Sequence, residues 1–125
     1  MSTFKISLAI WSLGKTVSLE DLKKQLALAK EIGVEGVQLW AVDYDTNASC
    51  LLDPDRCNAE CRKEVLDLLE FFSLEISGFC AQLSGRKGLG GLDDPEGLDK
   101  RVEKNKKVLE LASCMGSPVV TTHPG

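Results

Sequence analysis

Segments typical of buried β-strands alternate with amphipathic helical segments along all 125 residues of the chain. The predicted strands cover residues 4–13, 34–40, 75–83 and 118–122, and three predicted helices lie between them. Regular alternation of this kind joins parallel strands through right-handed helical crossovers. The strands are apolar on both faces, which is expected where helices cover a sheet. The pattern therefore predicts an α/β domain in the order β-α-β-α-β-α-β.

The ends of the predicted helices carry recognisable signals. Ser18 and Asn58 are predicted N-caps, and Pro95 opens the third helix at its first turn. Gly33 and Gly116 end the first and third helices. The predicted apolar stripes are Leu19, Leu22, Leu26 and Ala29 in the first helix, Cys61, Val65, Leu68 and Phe72 in the second, and Leu98, Val102, Leu109 and Ala112 in the third.

Alternate residues of the first two strands divide into two sets that face opposite sides of the sheet. The set predicted to pack under the helices consists of Ile6, Leu8, Ile10, Val37 and Leu39. The other set consists of Ser7, Ala9, Trp11, Gln38 and Trp40. If the sheet curls into a barrel, this second set points inward, and Trp11, Gln38 and Trp40 lie towards the mouth of the barrel.

Composition narrows the possible partners. The net charge of −4 and the pI near 5.0 give no basic footprint for nucleic acid, and no apolar run is long enough to cross a membrane. We therefore expect neither of these partners, and a cytoplasmic location. Five cysteines at irregular spacing favour reduced thiols over a disulfide framework. Cys57 and Cys61 lie four residues apart, but no CxxC pair or nearby histidine completes a metal site.

Three further segments are interpreted without a catalytic role. Residues 43–54 imitate the start of a calcium-binding loop but lack its glycine and its final glutamate, so we interpret them as a solvated acidic loop. The glycine-rich residues 85–91 could cradle a phosphate, although a mobile lid is the preferred interpretation. The charged residues 100–107 are predicted to form the exposed face of the third helix.

The strand sequences themselves resemble a known superfamily. KISLAIWSL, KEIGVEGVQLW, ISGFCAQL and SPVVTTHPG are similar to the N-terminal half of the xylose isomerase-like TIM barrels. That superfamily includes sugar phosphate isomerases and epimerases and the endonuclease IV-type enzymes. Complete TIM barrels have eight βα units and about 250 residues. The resemblance therefore implies that residues 1–125 form a single partial TIM-barrel domain, β1-α1-β2-α2-β3-α3-β4, in a truncated chain.

The resemblance also implies a function. It predicts the N-terminal half of a metal-dependent sugar or sugar-phosphate isomerase or epimerase, in which His123 is the candidate catalytic residue. Trp11, Trp40 and Gln82 are the candidate substrate-binding residues, because indole faces suit sugar rings and an amide binds hydroxyls. A divalent metal (Mn, Mg, Co or Zn) is expected in the complete enzyme, with ligands from the last four strands. This chain alone is expected neither to bind that metal nor to be active.

Two alternatives remain open at this level. The first is a fragment of an endonuclease IV-like abasic-site nuclease, although the third strand lacks the histidine that the resemblance requires. The second is a non-catalytic half barrel that self-associates, because the edges of its first and fourth strands would be unpaired. The expected partners are thus a small-molecule sugar or sugar phosphate, together with either the missing C-terminal half or another copy in a homodimer.

Overall fold

The computed structural model describes residues 5–42, 50–81, 95 and 97–122. Within these ranges it contains the strands β1 (Ser7–Ala9), β2 (Gly36–Val42), β3 (Glu75–Ala81) and β4 (Val120–Thr122), the helices α1 (Leu19–Ile32), α2 (Ala59–Phe71) and α3 (Leu98–Cys114), and a one-turn 3₁₀ helix at Ile10–Leu13. The strands form one parallel sheet in the order β1-β2-β3-β4. The predicted alternation and the parallel arrangement are therefore confirmed.

The first predicted strand is shorter than its sequence suggests. β1 ends at Ala9, where the Ser12 hydroxyl donates a hydrogen bond to the Ala9 carbonyl at 2.6 Å. The Gly14 amide closes the turn on the Trp11 carbonyl at 3.3 Å, and Gly14 has a positive φ of 117°. These contacts turn residues 10–13 into the 3₁₀ helix, so the prediction of a strand across residues 4–13 is wrong in its second half. Ile6, which was predicted to lie under the helices, is 66% exposed because it precedes β1 at an edge of the sheet.

Helix α1 begins and ends as its sequence predicts. The Asp21 amide donates to Ser18 Oγ, and the Ser18 amide donates to the Asp21 carboxylate, each at 3.1 Å. This reciprocal capping box satisfies two backbone donors that the first turn would otherwise leave open. Hydrogen bonding from the Val17 amide lowers the pKa of Asp21, which keeps this cap charged. Gly33 ends the helix in the left-handed conformation with a φ of 98°.

Helix α2 also matches its prediction. Asn58 caps it by accepting a hydrogen bond from the Cys61 amide at 2.9 Å. Val65 is fully buried on the predicted stripe, and Cys61, Leu68 and Phe72 pack against the core. The helix therefore lies on the sheet with the face that its 3.6-residue periodicity indicates.

Helix α3 buries a different face from the predicted one. It begins at Leu98 after Gly97, so Pro95 lies outside the helix rather than in its first turn. Leu98, Val102 and Leu109 are 42 to 55% exposed, and Ala112 alone of the predicted stripe is buried. The buried face consists of Arg101, Lys104, Val108, Leu111 and Ala112. The prediction that residues 100–107 form the exposed face is thus wrong, because Arg101 is buried and Lys104 forms a buried ion pair with Asp53 under the helix.

The core fills the space between the helices and one face of the sheet, which we call the outer face. Val37, Leu39 and Phe79 of β2 and β3 have no exposed surface and pack in one cluster with Leu26 of α1 and Val65 of α2. Each fully buried aliphatic or aromatic side chain contributes about 1.5–3 kcal/mol. This burial confirms the face predicted for Val37 and Leu39. In the described parts of the chain, no helix is both long and apolar enough to span a membrane.

Candidate functional site

The two tryptophans of the chain meet at the carboxyl-terminal ends of the first two strands. Trp11 lies in the 3₁₀ helix after β1 and is half-buried, whereas Trp40 lies in β2 and is buried. Their ring centroids are 6.1 Å apart, and the ring planes are tilted by 56°. Offset, tilted aromatic pairs of this kind are energetically favourable. The structure thus brings together the two tryptophans that the sequence places towards the mouth of a barrel.

The face of the sheet opposite the core, which we call the inner face, carries mainly small or uncharged polar side chains beside Trp40. Strand alternation and the pairing register assign to it Ser7, Ala9, Gly36, Gln38, Glu75, Gly78, Cys80 and Thr121, and Val119 lies beside Gly78 on this face. A β-bulge between Val37 and Gln38 aligns Gln38 with Gly78 and Trp40 with Cys80. The inner face is therefore polar and lightly filled, in contrast to the outer face.

A hydrogen bond on the inner face crosses one whole strand. Gln38 of β2 donates from Nε2 to Thr121 Oγ1 of β4 at 3.0 Å, and Gly78 of the intervening strand has no side chain in the way. A Cβ atom at Gly78 would lie 2.8 Å from Val119 Cγ1 and 3.9 Å from Gln38 Cγ. Thr121 in turn donates to the Phe79 carbonyl at 3.4 Å. Gly78 is therefore required for the close packing of β3 against Val119, and it leaves open the route from Gln38 to Thr121.

A second polar pair lies further from the tryptophans on the inner face. The hydroxyls of Ser7 in β1 and Ser77 in β3 are 2.5 Å apart. Gly36 of β2 lies between them, and a Cβ atom there would be 3.6 Å from Ser7 Oγ and 3.1 Å from the Glu75 carbonyl oxygen. Polar side chains thus reach across an intervening strand at two levels of the inner face, each time past a glycine.

The cysteines are all free thiols, as predicted. Cys57 and Cys61 approach to 2.8 Å between their sulfurs at the start of α2. Burial, followed by the Cys61 thiol, raises the pKa of Cys57 to about 12. Burial also raises the pKa of Cys80 on the inner face, against an opposing hydrogen bond with Thr121. Cys57 and Cys80 are therefore held in the protonated form, which is a poor metal ligand and nucleophile.

A partly buried ion cluster joins the segment before α2 to helix α3. Lys104 Nζ lies 2.6 Å from Asp53 and 2.5 Å from Asp55, and Lys107 lies 2.8 Å from Asp55. Hydrogen bonds from Lys104 and then Lys107 lower the pKa of Asp55 to about 2, and the pKa of Lys107 is raised by the same contact. This cluster was not predicted from the sequence, because Asp53 was interpreted as part of a solvated acidic loop and the lysines as part of an exposed helix face.

The remaining candidate site residues lie outside the described residues. These are Gln82 and His123, together with the segments 43–49 and 85–91. Among the residues that are described, no group of three or more histidine, cysteine, aspartate or glutamate side chains could hold a metal ion. Thr121, two residues before His123, contacts Gln38 and was not singled out from the sequence.

Comparison with known proteins supports the fold. No protein-family model matches the chain, and no curated protein sequence matches it at a significant level. The chain is similar to the crystal structure of the probable 3-DHS dehydratase AsbF, involved in petrobactin synthesis, from Bacillus anthracis. The TM-score is 0.59 with 22% sequence identity, over 95% of this chain and 38% of that chain. The neighbour is a xylose isomerase-like TIM barrel. The chain therefore has the fold of the N-terminal half of a TIM barrel, with four strands and three helices.

Proposed function

We propose that this chain forms the substrate-binding wall of the first four strands of a sugar or sugar-phosphate isomerase or epimerase. The observation that carries the proposal is the Trp11–Trp40 pair at the carboxyl ends of β1 and β2, 6.1 Å between centroids. TIM-barrel enzymes bind their substrates at this end of the barrel. Indole faces pack on the C–H faces of sugar rings, and the polar inner face beside them supplies partners for hydroxyls.

The proposed role of the described residues is to bind and orient the substrate. A divalent metal, expected from the family resemblance, would polarise the substrate oxygens in the whole enzyme. The described residues form no ligand set that fits such an ion, so their proposed roles involve no step through it. We propose His123 as a catalytic residue and Gln82 as a substrate-binding residue. The chain spans 38% of the neighbour's length, and the activity of a whole barrel is part of this proposal.

Intrinsic fluorescence offers a direct test, because Trp11 and Trp40 are the two tryptophans of the chain. The chain is titrated with D-xylose, D-fructose 6-phosphate and 3-DHS, the last because the structural neighbour is named as a 3-DHS dehydratase. We expect a saturable change in emission with at least one of these compounds. The variant Trp40→Phe should weaken the binding, measured by calorimetry, whereas Phe71→Leu on the exposed side of α2 should leave it unchanged. The absence of any saturable response would contradict the proposal.

Self-association is a second candidate, supported by exposed apolar stripes on the two outermost helices. Leu98, Val102 and Leu109 fall within roughly 40° of one another around α3, at about 100° per residue, and lie roughly opposite Lys107, which faces the α2 side. On α1, Leu28 and Ile32 are also exposed. Two copies would supply eight strands, the number that closes a TIM barrel. The exposed stripes therefore lie where a homodimer would bury apolar surface.

Sedimentation velocity over a range of concentrations tests self-association. We expect a discrete dimer that the double variant Val102→Lys/Leu109→Lys weakens, while Lys100→Glu/Glu110→Lys on exposed polar positions has little effect. A monomer at high concentration would contradict this candidate. The endonuclease IV-like alternative stays a prediction, which a nicking assay on abasic DNA tests.

A further inference from the structure

We propose that Gln38 and Thr121 form a subsite that binds neutral hydroxyl groups, deeper in the half barrel than the tryptophan pair. This subsite rests on the proposed function, because it requires a ligand that reaches the inner face. Gln38 precedes Trp40 by two residues on the same face of β2, so the subsite lies one layer further along the strand. It adds polar contacts to those of the tryptophan pair and restricts the ligand to one with neutral hydroxyl groups.

The inner face has space for a ligand at this level. TIM-barrel interiors are ordinarily filled by layers of bulky branched side chains, which leave no room below the mouth. Here the layer that contains Gln38 also contains Ala9 on β1, Gly78 on β3 and Val119 just before β4. Ala9 and Gly78 are too small to fill a barrel interior. Ala9 and Gln38 are only half-buried, and Thr121 is exposed. A ligand held by the tryptophans can therefore extend towards Gln38.

The chemistry of the inner face favours a neutral ligand group. Around Gln38 and Thr121 the described inner-face residues are uncharged, and the Lys5–Glu75 ion pair lies at the opposite, amino-terminal end of the strands. A phosphate or carboxylate at the subsite would therefore find no counter-charge beside it. Gln38 presents an amide with both donor and acceptor atoms, and Thr121 presents a hydroxyl. Groups of this kind suit a sugar hydroxyl or carbonyl. The neutral, hydroxyl-bearing end of a ligand is thus assigned to this subsite.

The polar groups of the subsite are also held in a fixed orientation. The Gln38 side chain is held by the 3.0 Å hydrogen bond to Thr121, and Thr121 is held in turn by the Phe79 carbonyl. The amide group of Gln38 is thereby fixed by contacts with β3 and β4. Because Gly78 has no side chain, the Gln38–Thr121 hydrogen bond remains accessible from the inner side. Preorganised polar groups lose less conformational entropy when a ligand binds.

The test compares nearly isosteric variants of the whole chain by calorimetric titration with D-xylose. Thr121→Val and Gln38→Leu remove the hydroxyl and the amide, and each should weaken binding by roughly 5- to 10-fold. Thr121→Ser keeps the hydroxyl and should bind nearly as well as the parent chain. The matched control is Ser7→Ala/Ser77→Ala, which removes an inner-face hydroxyl pair outside the subsite and should leave the affinity unchanged. Circular dichroism checks that each variant is folded.

A second measurement separates binding from structural support. The monodeoxy analogues of D-xylose are titrated against the parent chain and Thr121→Val. One analogue, which lacks the hydroxyl that contacts Thr121, should bind the parent chain more weakly than D-xylose does. The same analogue and D-xylose should bind Thr121→Val equally well, because that variant has already lost the partner of this hydroxyl. If D-xylose binds Thr121→Val and Gln38→Leu as tightly as the parent chain, the subsite is wrong while the proposed function stands. If D-fructose 6-phosphate or 3-DHS binds and D-xylose does not, the same variants are titrated with that compound, and an unchanged affinity overturns the subsite. Failure of all three compounds overturns both.

Discussion

The two faces of this sheet are built from the same strands and differ in almost every property. On the outer face, Val37, Leu39 and Phe79 are sealed under helices with no exposed surface. On the inner face, their neighbours Gln38 and Gly78 are polar or lack a side chain, and hydrogen bonds run between strands. Because successive residues of a strand point to opposite faces, one strand contributes apolar packing to one side of the sheet and polar contacts to the other.

This difference separates two kinds of mutational sensitivity. Outer-face positions should respond through loss of packing and appear as loss of stability. Inner-face positions should tolerate changes of polarity better than an added side chain at Gly36 or Gly78, where neighbouring atoms lie close.

Phe79→Ala should produce the largest loss of stability, about 3–5 kcal/mol, because it leaves a cavity in the fully buried outer layer. The free energy of unfolding from urea denaturation measures the effect. The matched control is Phe71→Ala, which truncates a 75% exposed ring and should change stability by less than about 0.5 kcal/mol. Equal effects at the two positions would show that the outer layer is not the packed core.

Lys104→Met should cost about 3 kcal/mol, because it leaves the buried carboxylate of Asp53 without this cation under α3. The control Lys107→Met removes a cation that is half exposed, and its effect on the thermal midpoint should be small. If Lys104→Met stabilised the chain, the ion cluster would not be a net contributor to the stability of the fold.

Gly78→Ala tests the inner face by volume, with an expected cost of about 1–3 kcal/mol. The added methyl group would meet Val119 Cγ1 at 2.8 Å and push β4 away from β3. Combining it with Val119→Ala removes that contact and should recover part of the lost stability. If the double variant is less stable than the sum of its single changes predicts, then the clash is not the cause.

The smallest loss of stability is expected when acid protonates Asp55. Its pKa is lowered from 3.8 to about 2 in the folded chain, so its ion pairs stabilise the fold above pH 4. This contribution is lost as the pH falls from 4 towards 2, because the folded state then loses the charge that it favours. The carboxylate is half exposed, so the change is well below that of Lys104→Met. Asp55→Asn should flatten this part of the stability profile, and an unchanged profile would argue against the ion pairs.

Much of the fold could be predicted because its signals are local. Ser18 and Gly33 set the ends of α1, and the alternation of Val37 and Leu39 with polar neighbours set the faces of β2. The errors arose where tertiary contacts override local preference. Lys104 of α3 points inward because it forms ion pairs with Asp53 and Asp55, which lie in another segment. β1 ends early because the Ser12 hydroxyl donates a hydrogen bond to the Ala9 carbonyl.

The candidate site was predictable to a similar extent. Trp11 and Trp40 were expected to lie towards the mouth and do meet there. The contact between Gln38 and Thr121 was not foreseen, because it joins residues 83 positions apart across a third strand. It depends on the bulge after Val37 and on the missing side chain of Gly78, and the pairing register cannot be read from residue type alone.

The strand lengths have a consequence for how the sheet opens. β2 and β3 contain seven residues each, whereas β1 and β4 contain three each and pair on one side within the described sheet. Local opening is cheapest where few hydrogen bonds must break together. Amide protons of β1 and β4 should therefore exchange with solvent well before those of β2 and β3. We expect the slowest exchange in the β2–β3 pair, which contains Gln38, and faster exchange in β4, which contains Thr121.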